Sequence, residues 1–108
     1  MSVVVHDSHS QEEILQCIDS GLDVFGTTVK NVIYFRFKTI LNLERTDIVR
    51  KPEAFSESLR SFFGERAFNV EAAIVASIIG KFHLTELNPS DSAVRAIIEA
   101  RKLVWSEK

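Results

Sequence analysis

The chain has 108 residues, 45% of them hydrophobic, and its 13 basic and 15 acidic side chains give a formal charge of −2. This length and apolar content are typical of one globular domain rather than two. A charge so near zero excludes a global electrostatic attraction to nucleic acid or to an anionic membrane. Since Cys17 is the single cysteine, an intramolecular disulfide and a cysteine cluster for zinc are excluded as well.

Apolar residues recur at helical spacing in five segments of the chain. Ser10 and Glu13 form a capping-box sequence at the start of the first segment, and Gly26 ends it. Pro52 is a first-turn proline that begins the third segment. The sequence therefore predicts an all-α fold with five helices, and the boundaries we expect are 11–25, 28–44, 52–63, 65–82 and 89–106.

The two ends of the chain set the expected domain limits. Asn88 and Pro89 are a capping residue and a first-position proline for the last helix. Residues 1–10 are predicted to be a polar N-terminal lead, and 11–108 a single helical domain. No basic and apolar leader and no membrane-length apolar stretch occurs, so we expect a cytoplasmic protein without membrane contact.

Charge is unevenly distributed along the chain. Residues 1–25 carry five acidic side chains and no Lys or Arg, whereas residues 26–66 carry eight basic and five acidic ones. We therefore expect the acidic first helix to pack near the basic middle of the fold, within one subunit or across a dimer.

Two charged side chains fall inside apolar helical faces. Arg36 lies within the broad apolar face of the second predicted helix, and Glu71 lies within that of the fourth. The face of the second helix consists of Val29, Val32, Ile33, Phe37, Ile40, Leu41 and Leu43. Because a buried charge is costly unless it is paired, we predict one buried structural ion pair between Arg36 and Glu71. One alternative is a functional Glu71 carboxylate that acts as a base on the wall of a pocket. Another is a cavity for a small apolar ligand that Arg36 or Glu71 lines.

A search for catalytic motifs finds none. The four glycines are isolated and match no phosphate-binding loop or dinucleotide fingerprint. Ser56, Ser58 and Ser61 are expected on the solvent side of their helix, without a nearby base. The sequence therefore predicts a non-enzymatic protein, with no catalytic, cofactor-binding or metal-binding residues.

Exposed apolar side chains are predicted on two helices. Phe35 lies on the polar side of the second helix with Tyr34 at the same edge, and the fifth helix is apolar around more than half of its circumference. We predict a candidate interface for self-association as a homodimer, or for a protein partner, that includes Phe35 and Tyr34 or Val94, Ile98 and Trp105.

Residues 20–84 resemble a small archaeal helical family described as Nitrosopumilus output domain proteins. The family pattern is a P-E-x-F helix, then F-G with a small residue and a glutamate, then an isoleucine-rich helix that closes on phenylalanine. The matching residues are Pro52, Glu53, Phe55, Leu59, Phe63, Gly64, Ala67, Glu71, Ile74 and Phe82, with Tyr34 and Phe35 in an aromatic second helix. The pattern departs at Phe37, Lys38 and Thr39. This resemblance implies an accessory module of archaeal signalling and regulatory proteins, and it implies no catalytic residues.

Nucleic-acid binding is the alternative function. The predicted helices 52–63 and 65–82 follow one another as in a helix-turn-helix. The second of them offers few polar side chains for base edges, which argues against this interpretation. The basic side chains that would contact nucleic acid are Arg45, Arg50, Lys51, Arg60 and Arg66.

Overall fold

A computed structural model of the protein describes residues 10–106, which contain five α-helices, two short 3-10 helices and no β-strand. The α-helices are α1 (Gln11–Asp23), α2 (Thr27–Leu41), α3 (Pro52–Phe63), α4 (Ala67–Phe82) and α5 (Ala93–Ser106). The 3-10 helices are Arg45–Ile48 and Gly64–Arg66. The predicted all-α fold is confirmed. Apart from Ser10, the predicted N-terminal lead lies outside the described residues. None of the described helices has both the length and the apolar character needed to cross a lipid bilayer.

The observed helix ends follow local backbone chemistry. Ser10 Oγ accepts the Glu13 N–H at 3.3 Å, and Glu13 Oε1 accepts the Ser10 N–H at 3.1 Å, which confirms the capping box of α1. Helix α2 ends at Leu41, three residues before the predicted boundary, because Asn42 takes the left-handed conformation with a φ of 56°. His83 ends α4 in the same way, with a φ of 57°.

Helix α5 begins at Ala93, four residues later than predicted. The Asn88 N–H donates to Asp91 Oδ2 at 3.0 Å, and this closes a separate turn ahead of the helix. The capping side chain is Ser92, whose Oγ accepts the Arg95 N–H at 3.1 Å. The cap and proline signals in the sequence therefore belong to the turn and not to the first helical residues.

Helix α4 is the centre of the fold, because it packs against α1, α3 and α5. Its contact with α1 is close at Gly21. A Cβ atom on Gly21 would lie 2.7 Å from Ile74 Cγ1 and 2.8 Å from Ile74 Cα, distances that packed atoms do not tolerate. Gly21 is therefore required by the approach of two helix backbones.

Helix α2 lies at the edge of the bundle and contacts α1, α3 and the 3-10 helix at 45–48. Phe37 packs edge-to-face on Phe55 of α3, with 5.7 Å between the ring centroids. Ile33 is buried with Phe37, but Ile40 is 63% exposed. The wide apolar face predicted for α2 is thus only half covered, since too few neighbours surround this helix.

The connection between α2 and α3 contributes core residues that helical periodicity does not reveal. Ile48 and Val49 are fully buried. Arg101 of α5 donates from Nη1 to the Val49 carbonyl oxygen at 2.9 Å. This hydrogen bond joins the end of α5 to the 3-10 helix at 45–48 and satisfies the carbonyl of the residue that ends that 3-10 helix.

Candidate functional site

Glu71 is 6% exposed, which confirms its predicted burial. Its Oε2 accepts the Ser56 hydroxyl of α3 at 2.9 Å, and its Oε1 accepts the Ala93 N–H at the start of α5 at 3.1 Å. Among residues 10–106, the cation that pairs with Glu71 is Arg60, whose Nε lies 3.7 Å from Oε2 and whose side chain is largely exposed. Glu71 therefore joins α3, α4 and α5 chiefly through two buried hydrogen bonds.

The predicted ion pair between Arg36 and Glu71 is wrong. Arg36 is exposed, and its guanidinium carbon lies 5.4 Å from the centroid of the Phe62 ring. Helices α2 and α4 are not in contact, so the two side chains belong to different parts of the molecule. The expectation that Ser56 faces solvent is also wrong, because its hydroxyl is buried against Glu71.

Glu71 and Arg36 each line an open depression in the protein surface. Glu71 lies at the bottom of a cleft of about 430 Å³, whose wall also includes Arg60, Phe68 and the turn 89–92. Because Ser56 and Ala93 already donate to the Glu71 carboxylate, its role there is to position α5. The alternative of a bound small apolar ligand stays a prediction.

Exposed apolar side chains lie on the outer side of α2 and on the adjoining side of α3. Val32, Phe35 and Ile40 follow at helical spacing along α2, with Arg36 between them. Phe35 is 66% exposed. We define the α2–α3 surface as Val32, Phe35, Arg36, Ile40 and Leu41 of α2 with Glu57 and Phe62 of α3. All five of its apolar members are exposed.

A groove of about 220 Å³ runs along the α2–α3 surface. Arg36, Ile40 and Leu41 form its wall on α2, and Glu57 and Phe62 contribute to its wall on α3. Sites for drug-sized ligands measure roughly 300–1,000 Å³. The groove therefore suits an inserted side chain better than a cofactor.

The structure does not bring the predicted interface residues together. Phe35 is exposed, whereas Tyr34 points inward and donates from its hydroxyl to Asp19 Oδ1 at 2.5 Å. Val94 and Ile98 are half-buried on α5, which does not contact α2. The exposed Trp105 is also on α5, and the Arg101 guanidinium carbon lies 5.0 Å from its ring centroid. Of the predicted set, only Phe35 belongs to the α2–α3 surface.

The acidic first helix packs against the basic middle within one subunit. Arg45 Nη2 lies 2.6 Å from Asp19 Oδ2 and 3.3 Å from Glu12 Oε2. Hydrogen bonds and the nearby carboxylates hold the pKa of Arg45 above its usual range, against the opposing effect of burial. The expected proximity is thus confirmed, and Arg45 is used internally.

Two of the other predicted nucleic-acid contacts also have acidic neighbours. Arg50 pairs with Asp47, and Arg60 lies beside Glu71. Lys51 and Arg66 are exposed, on either side of α3 in the chain. The second helix of the helix-turn-helix-like pair is α4, which packs against α1, α3 and α5. Nucleic-acid binding stays a prediction.

Tyr34 provides a test of this packing through its acidity. Burial and the hydrogen bond to Asp19 raise the Tyr34 pKa above that of free tyrosine, which is about 10. A group with a raised folded-state pKa contributes stability that is complete below the unfolded pKa and is lost as the pH rises further. Because Tyr34 is the single tyrosine, tyrosinate absorbance reports on it alone. We expect no ionisation of the native protein at pH 10 and unfolding at higher pH, with earlier ionisation in Asp19→Asn. Half-ionisation of native wild type at pH 10 would contradict this environment.

Cys17 is buried in α1, and its thiol donates to the Ser77 carbonyl oxygen at 3.6 Å. Burial raises the pKa of the thiol, so the reactive thiolate is disfavoured. Among residues 10–106, no group of three or more His, Cys, Asp or Glu side chains is arranged to hold a metal ion.

No family model, curated protein or solved structure matches this chain.

Proposed function

We propose that this protein is a cytoplasmic, non-enzymatic regulatory or signalling output module that acts as a homodimer through the α2–α3 surface. The observation that carries this proposal is the exposure of three large apolar side chains on the outer side of α2, namely Val32, Phe35 and Ile40. Fully burying one large apolar side chain stabilises a complex by about 1.5–3 kcal/mol. The five side chains on this surface are 38–66% exposed, so each contributes part of that amount to association.

The spacing of the exposed residues on α2 favours a helical partner surface over a small ligand. Residues 32, 35, 36, 39 and 40 follow the i, i+3, i+4, i+7 and i+8 spacing of one helix side. A surface of that shape is complementary to the side of another helix, and the second copy supplies one. The regulatory role is taken from the resemblance to archaeal output domains.

Two equally exposed phenylalanines allow a matched test of this proposal. Phe35 is 66% exposed on the α2–α3 surface, and Phe68 is 65% exposed beside Glu71. We expect wild type and Phe68→Ser to give a sedimentation mass that rises toward the dimer with concentration. Phe35→Ser removes one apolar anchor from each copy, so its dissociation constant should rise at least tenfold.

Thermal unfolding should show that both variants stay folded, because both side chains are exposed. A wild-type protein that stays monomeric at millimolar concentration would contradict the proposal. Dissociation by Phe68→Ser with no effect of Phe35→Ser would also contradict it.

A further inference from the structure

The α2–α3 surface carries one cation and one anion that have no ionic partner among residues 10–106. Within residues 10–106, Arg36 contacts the Phe62 ring but forms no ion pair, and the Glu57 side chain forms neither an ion pair nor a hydrogen bond. Both side chains line the same groove, Arg36 from α2 and Glu57 from α3. The groove is therefore flanked by opposite charges that remain available to a partner.

Opposite charges beside an apolar groove are compatible with a two-fold interface. In a two-fold dimer the same surface meets itself, so each group that binds must find its complement on that same surface. A purely basic groove would repel its own copy and select an acidic partner. The α2–α3 surface has no such bias, because Arg36 and Glu57 balance each other.

The apolar part of the surface has the same self-complementary character. Phe35 is 66% exposed on α2 and directly precedes Arg36, which lines the groove of about 220 Å³. One copy thus supplies both an exposed aromatic side chain and a groove lined by Ile40, Leu41 and Phe62 to receive one.

We propose that a second copy of this chain binds the α2–α3 surface in a two-fold arrangement that Arg36 and Glu57 encode. In this arrangement Arg36 pairs with the partner subunit's Glu57, and Phe35 enters the partner's groove. The inference rests on the proposed homodimer and adds its register. The two ion pairs lie at the rim of the apolar contact, so dimer affinity falls as salt is added.

Charge exchange tests the register directly. Arg36→Glu and Glu57→Arg each place like charges opposite one another, and we expect each variant alone to weaken its homodimer at least tenfold. An equimolar mixture of the two variants restores both ion pairs, so heterodimers should form with near wild-type affinity. The double variant R36E/E57R should again form homodimers. Sedimentation velocity with one variant fluorescently labelled measures all of these species.

Arg66→Glu is the matched control, since Arg66 is an exposed arginine outside the α2–α3 surface. We expect it to leave the dimer affinity unchanged. Single variants that dimerise like wild type, or a mixture that does not recover, would overturn the register. In that case the loss of dimers in Phe35→Ser would still support the proposed function, whereas a monomeric wild type would reject both.

Discussion

Replacing Gly21 with alanine is expected to lower the free energy of unfolding by about 2–3 kcal/mol, measured by urea denaturation. The added Cβ would lie 2.8 Å from the backbone N and Cα atoms of Ile74. Backbone atoms cannot rotate aside as a side chain can, so α1 and α4 would have to separate. The loss is a large part of the roughly 5–15 kcal/mol that stabilises a typical domain.

Gly80 provides the matched control for Gly21. It is also a helical glycine, and a Cβ atom placed there would meet no heavy atom within 4 Å. Gly80→Ala should therefore raise the free energy of unfolding, by about 0.5–1 kcal/mol, because alanine loses less backbone entropy in a helix. Equal effects of the two substitutions would show that α1 does not approach α4 as closely as described.

Replacing Glu71 with leucine is expected to cost about 4 kcal/mol of stability. The substitution leaves the Ser56 hydroxyl and the Ala93 N–H buried without an acceptor. Each stranded donor costs about 1–3 kcal/mol. Glu71→Gln retains an acceptor for Ala93 and a polar partner for Ser56, so we expect a loss of only about 1 kcal/mol.

Double-mutant cycles distinguish Ser56, the observed side-chain partner of Glu71, from Arg36, the partner that the sequence predicts. The cycle of Ser56→Ala with Glu71→Leu should be non-additive by about 1 kcal/mol or more, because the two groups share a hydrogen bond. The cycle of Arg36→Met with Glu71→Leu should be additive within about 0.5 kcal/mol. Strong coupling of Arg36 to Glu71 would contradict the described packing.

Glu71 and its partners show what the sequence could and could not predict. Helical periodicity places a residue on a face of its own helix, and it correctly indicated that Glu71 is buried. It does not say which other helix that face meets. The buried acid is satisfied by a serine hydroxyl and a backbone N–H, and neither is visible as a charge in the sequence.

The sequence predicted only part of the α2–α3 surface, because helical periodicity does not show which neighbours cover a face. Phe35 stood out because it interrupts a polar face, and its exposure is confirmed. Ile40 and Val32 appeared to belong to the core, since periodicity gives the width of an apolar arc but not the number of helices that cover it. Helix α2 lies at the edge of the bundle, so part of that arc faces outward.

The turn before α5 illustrates how local signals can mislead. Asn88 and Pro89 are typical of a helix start, yet Asn88 is used in a closed turn with Asp91. The helix begins where Ser92 caps the N–H of Arg95 and Glu71 accepts that of Ala93. The Glu71 contact is tertiary, and a sequence pattern cannot show it.

The central claim is that the outward side of α2 contacts a second copy of the chain. An isotope-filtered nuclear Overhauser experiment on a mixture of labelled and unlabelled protein observes contacts between copies directly. We predict contacts between the Phe35 ring of one copy and the methyl groups of the partner's Ile40 and the partner's Leu41. Contacts between copies that involve only Phe68 or Trp105 would contradict the proposed interface. The absence of any contact between copies, at concentrations where the protein is dimeric, would also contradict it.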